Sequence, residues 1–213
     1  MQKIQAFCSE DLGGFYLDIL KDRLYTAARD SSARRSAQNA LYHIAHSLLR
    51  LMAPVLSFTA DEAWPIFTRN EKDSVLLHTW HRFPEPVDEA LIEKWKKLRF
   101  VRADMTKKLE ELRVAGFIGS SLQAEVEIRT TGEKLKLLES LGEDLKFLFI
   151  TSSAKVASSS SKGDELVVTA SNHKKCERCW HYRADVGSDP AHAEICGRCT
   201  ENLYGAGERR VHA

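Results

Sequence analysis

Cys176, Cys179, Cys196 and Cys199 stand as two C-x2-C pairs separated by sixteen residues, the spacing of a tetrahedral structural zinc site. Two thiolates two residues apart sit on one tight turn and grip one edge of a metal tetrahedron, and the second pair closes the opposite edge. Four thiolates leave no position for water or substrate, so the expected metal is one structural Zn2+ rather than a catalytic centre. Lys174 and Lys175 precede the first pair, Arg178 lies inside it, Trp180 follows it, and Arg198 holds the matching place in the second pair. A cationic turn carrying an aromatic ring suits single-stranded nucleic acid, because bases stack on the ring while guanidinium groups reach phosphates or base edges. The same residues also allow a second arrangement, with Trp180 as the core of a small module and the cations as solvated surface.

No other motif assembles a reactive centre. His43-Ile44-Ala45-His46 is similar to the His-Ile-Gly-His element that binds ATP in class I aminoacyl-tRNA synthetases, but these histidines fall inside a helical pattern and Ala45 belongs to its apolar stripe. They are expected to be two surface histidines. Gly205-Ala-Gly207 leaves no room for the helix that a dinucleotide fingerprint needs. There is no P-loop, no Gly-x-Ser-x-Gly and no His-Glu-x-x-His.

The chain has 213 residues, 43% hydrophobic and 29% charged, with a formal charge of +1. This predicts a soluble globular protein with room for one or two domains plus the zinc module. It excludes a broadly basic nucleic-acid-binding protein, so any such site must be a local patch. No apolar stretch has the length of a membrane span, no signal peptide is evident, and a cytoplasmic protein is expected. Cys8, the remaining cysteine, is expected to be a small buried residue.

The elements that must position the knuckle are mostly helical. Asp11 is the expected start of a helix carrying Phe15, Ile19 and Tyr25. Ala37, Leu41, Ile44, Ala45, Leu48 and Met52 then recur at helical spacing up to Pro54. Thr59-Ala-Asp-Glu62 predicts a capping box that starts a third helix with Trp64 and Phe67. Residues 68–87 form an expected linker. Leu91, Trp95, Leu98, Met105, Leu109 and Leu112 follow as the stripe of a long helix, interrupted by Arg102. Alternation from Leu122 to Arg129 predicts a strand, Glu133 to Leu141 a short helix, and Leu145 to Thr151 a strand. Glu165 to Thr169 gives a last strand after the serine-rich turn over residues 158–164. The expected fold is mainly α with a small α/β part: a helical bundle, a small mixed-sheet α/β domain and a C-terminal four-cysteine module. Residues 1–87 would form the truncated helical domain with its linker, 88–171 the long helix with the α/β domain, and 172–213 the zinc-binding module. Met1 is not expected to be the natural beginning.

DLGGFYLDILKDRLY, RRSAQNALYHIA, MAPVLSFTADEAW, IGSSLQAEV, CERCWHYRADVG and HAEICGRC resemble, in that order, segments in the C-terminal third of bacterial isoleucyl-tRNA synthetases. The likeness covers nearly the whole chain. It implies an anticodon-binding helical bundle of the class I type, a junction domain, and a zinc finger shared with formamidopyrimidine-type DNA glycosylases. It also implies a chain that binds the anticodon stem-loop of isoleucine tRNA as a monomer together with the rest of the synthetase. The isoleucine-tRNA ligase as a whole would aminoacylate that tRNA, with ATP used only by a catalytic domain this chain lacks; the chain itself is expected to be non-catalytic. The resemblance makes Cys176, Cys179, Cys196 and Cys199 the metal ligands and Arg178 and Trp180 the residues near anticodon bases. It adds Lys21, Arg23, Arg34 and Arg35 as phosphate contacts if their face meets the stem. Where the family commonly has a basic residue before its Gly-Ser-Leu turn, this chain has Gly116-Phe117-Ile118. The alternatives are the zinc-finger region of a DNA glycosylase-like protein and a non-enzymatic zinc-dependent interaction protein.

Overall fold

A computed structural model describes residues 2–84, 86–159 and 163–212. They form two compact units, Met1–Arg34 with Glu89–Ala213, and Arg35–Asp88.

In the larger unit the chain is already helical at its second residue, ahead of the start expected at Asp11. Helix α1 (Gln2–Ala6) passes into a π-helical stretch over Phe7–Leu17 and then into α2 (Asp18–Thr26). The difference lies in Gly13-Gly14, which sequence rules treat as a break. A Cβ at Gly13 would come to 3.0 Å from the Cys8 carbonyl oxygen, so the glycine lets a widened turn close on itself instead of ending the helix. Cys8 is half-buried.

Helix α5 (Glu89–Val114) buries Leu98, Arg102, Met105 and Leu109. The apparent interruption at Arg102 is therefore part of the buried face. Its Nε donates to the Leu148 carbonyl (2.9 Å), Nη1 to the Gly14 carbonyl (3.1 Å) and Nη2 to Asp18 Oδ2 (2.6 Å). A charge in a core is tolerated only when its donors are used, and here one guanidinium ties α5 both to the π-helical stretch and to the segment containing Leu148.

Three strands form a mixed sheet in the order β2-β1-β3. Strand β1 (Ala124–Thr130) runs parallel to β2 (Ser153–Ser158), with Val126 opposite Ala154, and antiparallel to β3 (Glu165–Ala170), with Val126 opposite Val168. Between β1 and β2 lie α6 (Gly132–Glu139) and α7 (Leu145–Phe149), the crossover that a parallel pair requires. Ala124, Val126 and Ile128 point from the sheet into a core shared with Leu98, Met105 and Leu109 of α5 and with Leu138, Leu145 and Leu148.

The run Leu145–Thr151, expected as a strand, contains helix α7 instead. Leu145, Phe147, Leu148 and Phe149 are all buried and Lys146 is the one charged residue among them, so the run has too little polar face for its pattern to carry a clear period. Ile150 ends the helix in the left-handed region (φ 56°). The strand position is taken by Ser153–Ser158, whose small, partly polar residues gave no signal. The serine-rich turn over 158–164 lies partly outside the described residues.

In the smaller unit, α3 (Ser32–Met52) stops before Pro54 as expected, but α4 (Ser57–Thr68) begins ahead of the predicted capping box. The Ser57 hydroxyl donates to the Ala53 carbonyl (2.8 Å) and the Ala60 amide to the Leu56 carbonyl (2.9 Å). Thr59 thus already lies inside the first turn. Ala53, Ala60, Trp64 and Val75 form this unit's core, and Trp64 Nε1 donates to Asp73 Oδ2 (2.9 Å).

His43 and His46 do lie inside a helix, but both are half-buried in a ring cluster rather than being plain surface residues. Arg50 Nη1 lies 2.8 Å from His46 Nδ1 and 3.2 Å from His81 Nδ1. A guanidinium only donates, so both Nδ1 atoms accept and both rings carry their proton on Nε2. These donate to the Tyr42 hydroxyl (2.8 Å) and to His43 Nδ1 (2.8 Å). Burial, Arg50, and the neighbouring His81, His43 and His78 hold the His46 pKa below its ordinary value; burial, His43 and Arg50 do the same for His81. The unfolded chain, with ordinary values near ~6.5, therefore takes up protons first as pH falls, and the folded form loses stability through that window. The urea midpoint of the chain should drop between about pH 7.5 and about pH 5.5, and the drop should shrink in a His46→Gln/His81→Gln variant. An unchanged slope in that variant contradicts the assignment.

Candidate functional site

The four cysteines are buried and their sulfur atoms all lie within 4.8 Å of one another. Cys176 and Cys199 Sγ are 3.7 Å apart, and Cys179 and Cys196 Sγ 3.8 Å. A tetrahedron with Zn–S bonds of ~2.3 Å has edges of ~3.8 Å, so the donor set fits zinc in both chemistry and size. Cys196 also caps helix α8 (Gly197–Tyr204), placing the second pair in its positive first turn. The Cys196 amide donates to Cys176 Sγ (3.3 Å). Without a cation, hydrogen bonding to Cys196 and Cys199 and then burial push the Cys179 thiol far up, while hydrogen bonds from Cys179 and Cys196 bring Cys199 down to about 4. The cluster therefore retains protons that a metal must displace, and affinity rises with pH.

The first knuckle turn is closed by the Trp180 amide donating to the Cys176 carbonyl and the Cys176 amide to the His181 carbonyl, both 2.9 Å. This geometry puts Trp180 at φ 65°, where a bulky residue is rarely found. The ring is 59% exposed, with Lys175 Nζ 5.5 Å from its centroid. Trp180 does not fill the module's core. That core consists of the cysteines with Val186 and Ile195 packed against them, and His181, 4% exposed, lies behind the knuckle with its ring edge-on to Phe147.

Three arginines fasten the module to α2. Arg198, which the sequence offers as a second cationic knuckle residue, instead has a buried side chain. Its Nη2 lies 2.5 Å from Asp22 Oδ1, and its Nε 2.7 Å from Glu208 Oε2. Arg210 Nη1 reaches the same Asp22 oxygen (2.5 Å), and its guanidinium sits 3.6 Å from the Phe147 centroid. Burial disfavours the Asp22 carboxylate, but the charges and hydrogen bonds of Arg198, with Arg210, outweigh it and hold its pKa below the usual range. Gly207 (φ 87°) makes the tail's route possible, since a Cβ there would stand 2.7 Å from Ala28 Cβ. Arg178, the third, donates to the Thr26 (2.8 Å) and Tyr25 (3.2 Å) carbonyls, satisfying the otherwise open C-terminal turn of α2.

The docking leaves a cleft of about 500 Å3 lined by Lys21, Tyr25, Ile19, Leu122, Phe147, Ile150, Arg178, Trp180 and His181, together with Asp18 and Asp22. Its two carboxylates already have cationic partners: Asp18 has Lys21 and Arg102, and Asp22 has Arg198 and Arg210. Of the residues expected to meet RNA, the structure brings Lys21, Arg178 and Trp180 together here. Arg23, Arg34 and Arg35 do not line the cleft. Arg23 is half-buried, and Arg34 and Arg35 stand in the first turn of α3, where the Arg34 amide donates to the Ser31 hydroxyl (3.2 Å). Sequence reasoning missed Tyr25 and His181. Tyr25 looks like an apolar helix residue yet is 73% exposed, and no spacing rule singles out the residue after Trp180.

Two family profiles match. One, described as the anticodon-binding domain of tRNA ligase, covers residues 1–128, and one described as a zinc finger found in FPG and IleRS covers residues 174–202. The chain is similar to isoleucine–tRNA ligases of Paraburkholderia xenovorans (62% identical across 99% of this chain and 22% of the relative) and Cupriavidus necator (60%, 100% and 23%). The ligase of a Janthinobacterium species is 59% identical over 100% of the chain and 23% of its own length. The chain spans about a fifth of the length of these relatives.

Cys176→Ser should abolish stoichiometric zinc and expose the module to protease, as measured by metal analysis and limited proteolysis; a metal-free module equally protected would contradict the coupling. Asp22→Asn removes the carboxylate that pairs the buried Arg210 and leaves Arg198 with Glu208 alone, and it should cost about 3–5 kcal/mol in denaturant unfolding. A loss below about 1 kcal/mol would show that the network does not fasten the module.

Proposed function

The chain belongs to the anticodon-binding domain family of tRNA ligases, and from that premise we propose that it binds the anticodon stem-loop of isoleucine tRNA as the C-terminal portion of a monomeric, cytoplasmic isoleucine–tRNA ligase. Residues 1–87 would be the helical anticodon-binding part, 88–171 the junction part and 172–213 the zinc module. The whole enzyme would join isoleucine to its tRNA with ATP, using domains outside this chain. The observation that carries the reading is the exposed Trp180 ring, held in a left-handed backbone turn directly after the buried ligand Cys179 and beside a cleft whose carboxylates are already neutralised.

The chain's own residues supply recognition. Zinc, when bound, cross-links the two knuckle turns and makes them rigid. Trp180 then presents a fixed face to an unstacked base, so little ordering cost is left to the moment of binding. Lys21, on the rim in an exposed pair with Asp18, would turn its ammonium to a phosphate while Asp18 keeps Arg102, and Arg178 contributes charge at the cleft wall while holding the end of α2. Arg23, Arg34 and Arg35 are assigned to the stem backbone, where contacts position the RNA without reading its sequence. The glycosylase-like alternative fits the zinc-finger match, but the profile over residues 1–128 favours the ligase.

In a complete isoleucine–tRNA ligase carrying this segment, Trp180→Ala should lower kcat/KM for tRNA about tenfold, one lost stacking contact, with zinc content unchanged. Charging at the unaltered rate would remove Trp180 from the interface.

A further inference from the structure

We propose that the cleft between the C-terminal turn of α2 and the zinc knuckle is a receptor for a single flipped-out nucleobase, with Tyr25 as a second stacking residue and His181 as its polar reader. This rests on the anticodon-loop reading above and names the residues and the base edge it would use.

Three observations carry it. Tyr25 and Trp180 both line the cleft, and both rings are exposed, 73% and 59%; a large aromatic side chain left in water on each of two adjoining segments lacks a stacking partner. Arg178 fixes the pairing of those segments by donating to the carbonyls of Tyr25 and Thr26, so the knuckle itself determines where Tyr25 stands. The third is His181, also in the lining. Its Nδ1 lies 3.1 Å from the Cys179 carbonyl, and a carbonyl only accepts, so Nδ1 carries a proton and, in the neutral ring, Nε2 presents a lone pair. That Nε2 is buried and has no hydrogen-bond partner among the described residues.

A buried acceptor left unsatisfied is unfavourable, and a ligand with an N–H donor on a flat ring relieves it. The apolar walls from Ile19, Leu122 and Ile150 suit the faces of such a ring, and the size of the cleft is within the roughly 300–1,000 Å3 of small-ligand sites. A nucleobase with an amino or imino N–H on its exposed edge matches all three features. A phosphate does not, because the neutral His181 ring offers no donor to it.

The test uses a complete isoleucine–tRNA ligase carrying this segment and isoleucine tRNAs bearing 2-aminopurine singly at each anticodon-loop position. With the unaltered enzyme, fluorescence should be quenched most at one position. Tyr25→Ala should abolish that quenching and weaken tRNA binding about tenfold, while Tyr25→Phe retains both. Replacing the base at that position by an analogue lacking its N–H donor should weaken binding to the unaltered enzyme. If Tyr25→Ala binds and quenches as the unaltered enzyme does while Trp180→Ala weakens binding, the base receptor is wrong and the anticodon reading stands. If neither variant changes binding, both are wrong.

Discussion

The carboxylate of Asp22 accepts hydrogen bonds from two guanidinium groups far from it in sequence: Arg198, 176 residues away, and Arg210, 188 residues away. Buried ion pairs recover their desolvation cost only when the geometry uses the available donors. Here Glu208 takes the other side of Arg198, the Thr26 hydroxyl lies 2.8 Å from its Nη2, and the Phe147 ring lies beneath both cations. An apolar replacement of similar size could pack there but would fix neither direction nor register. The charges give the zinc module one orientation on α2, and the existence of the cleft follows from that orientation.

Metal and ion network thus divide the work. The thiolates set the local shape of the knuckle, including the unfavourable backbone angle of Trp180. The arginines set where that knuckle stands. Arg178 illustrates the coupling: it is held between two metal ligands, yet its guanidinium completes the last turn of a helix near the other end of the chain. A residue whose sequence position suggests direct RNA contact also builds the surface on which contact would occur.

Much of this was legible in the sequence because it is local. The C-x2-C pairs specify a metal site by spacing alone, and the stripes of α3 and α5 specify helices by period. The strand β1 followed from strict alternation. What stayed hidden depended on distant partners. Arg102 looked like a defect in an apolar stripe until its partners at Gly14, Asp18 and Leu148 were known, and Arg198 looked like a surface cation until Asp22 and Glu208 enclosed it. Leu145–Thr151 reads as a strand because, with Lys146 as its one charged residue, the run has too little polar face to reveal a helical period, and Ser153–Ser158 carries no strand signal because sheet pairing, not hydrophobicity, makes it a strand. Tyr25 and His181 could not be found from spacing, since the cleft joins residues over 150 positions apart.

Site-directed photo-crosslinking tests the account most directly. With 4-thiouridine at single anticodon-loop positions of isoleucine tRNA and a complete ligase carrying this segment, cross-linked peptides should contain Trp180 or Tyr25 and should disappear when zinc is chelated. Cross-links that bypass both residues, or that persist unchanged without the metal, would contradict the claim that the zinc knuckle builds the RNA-reading surface.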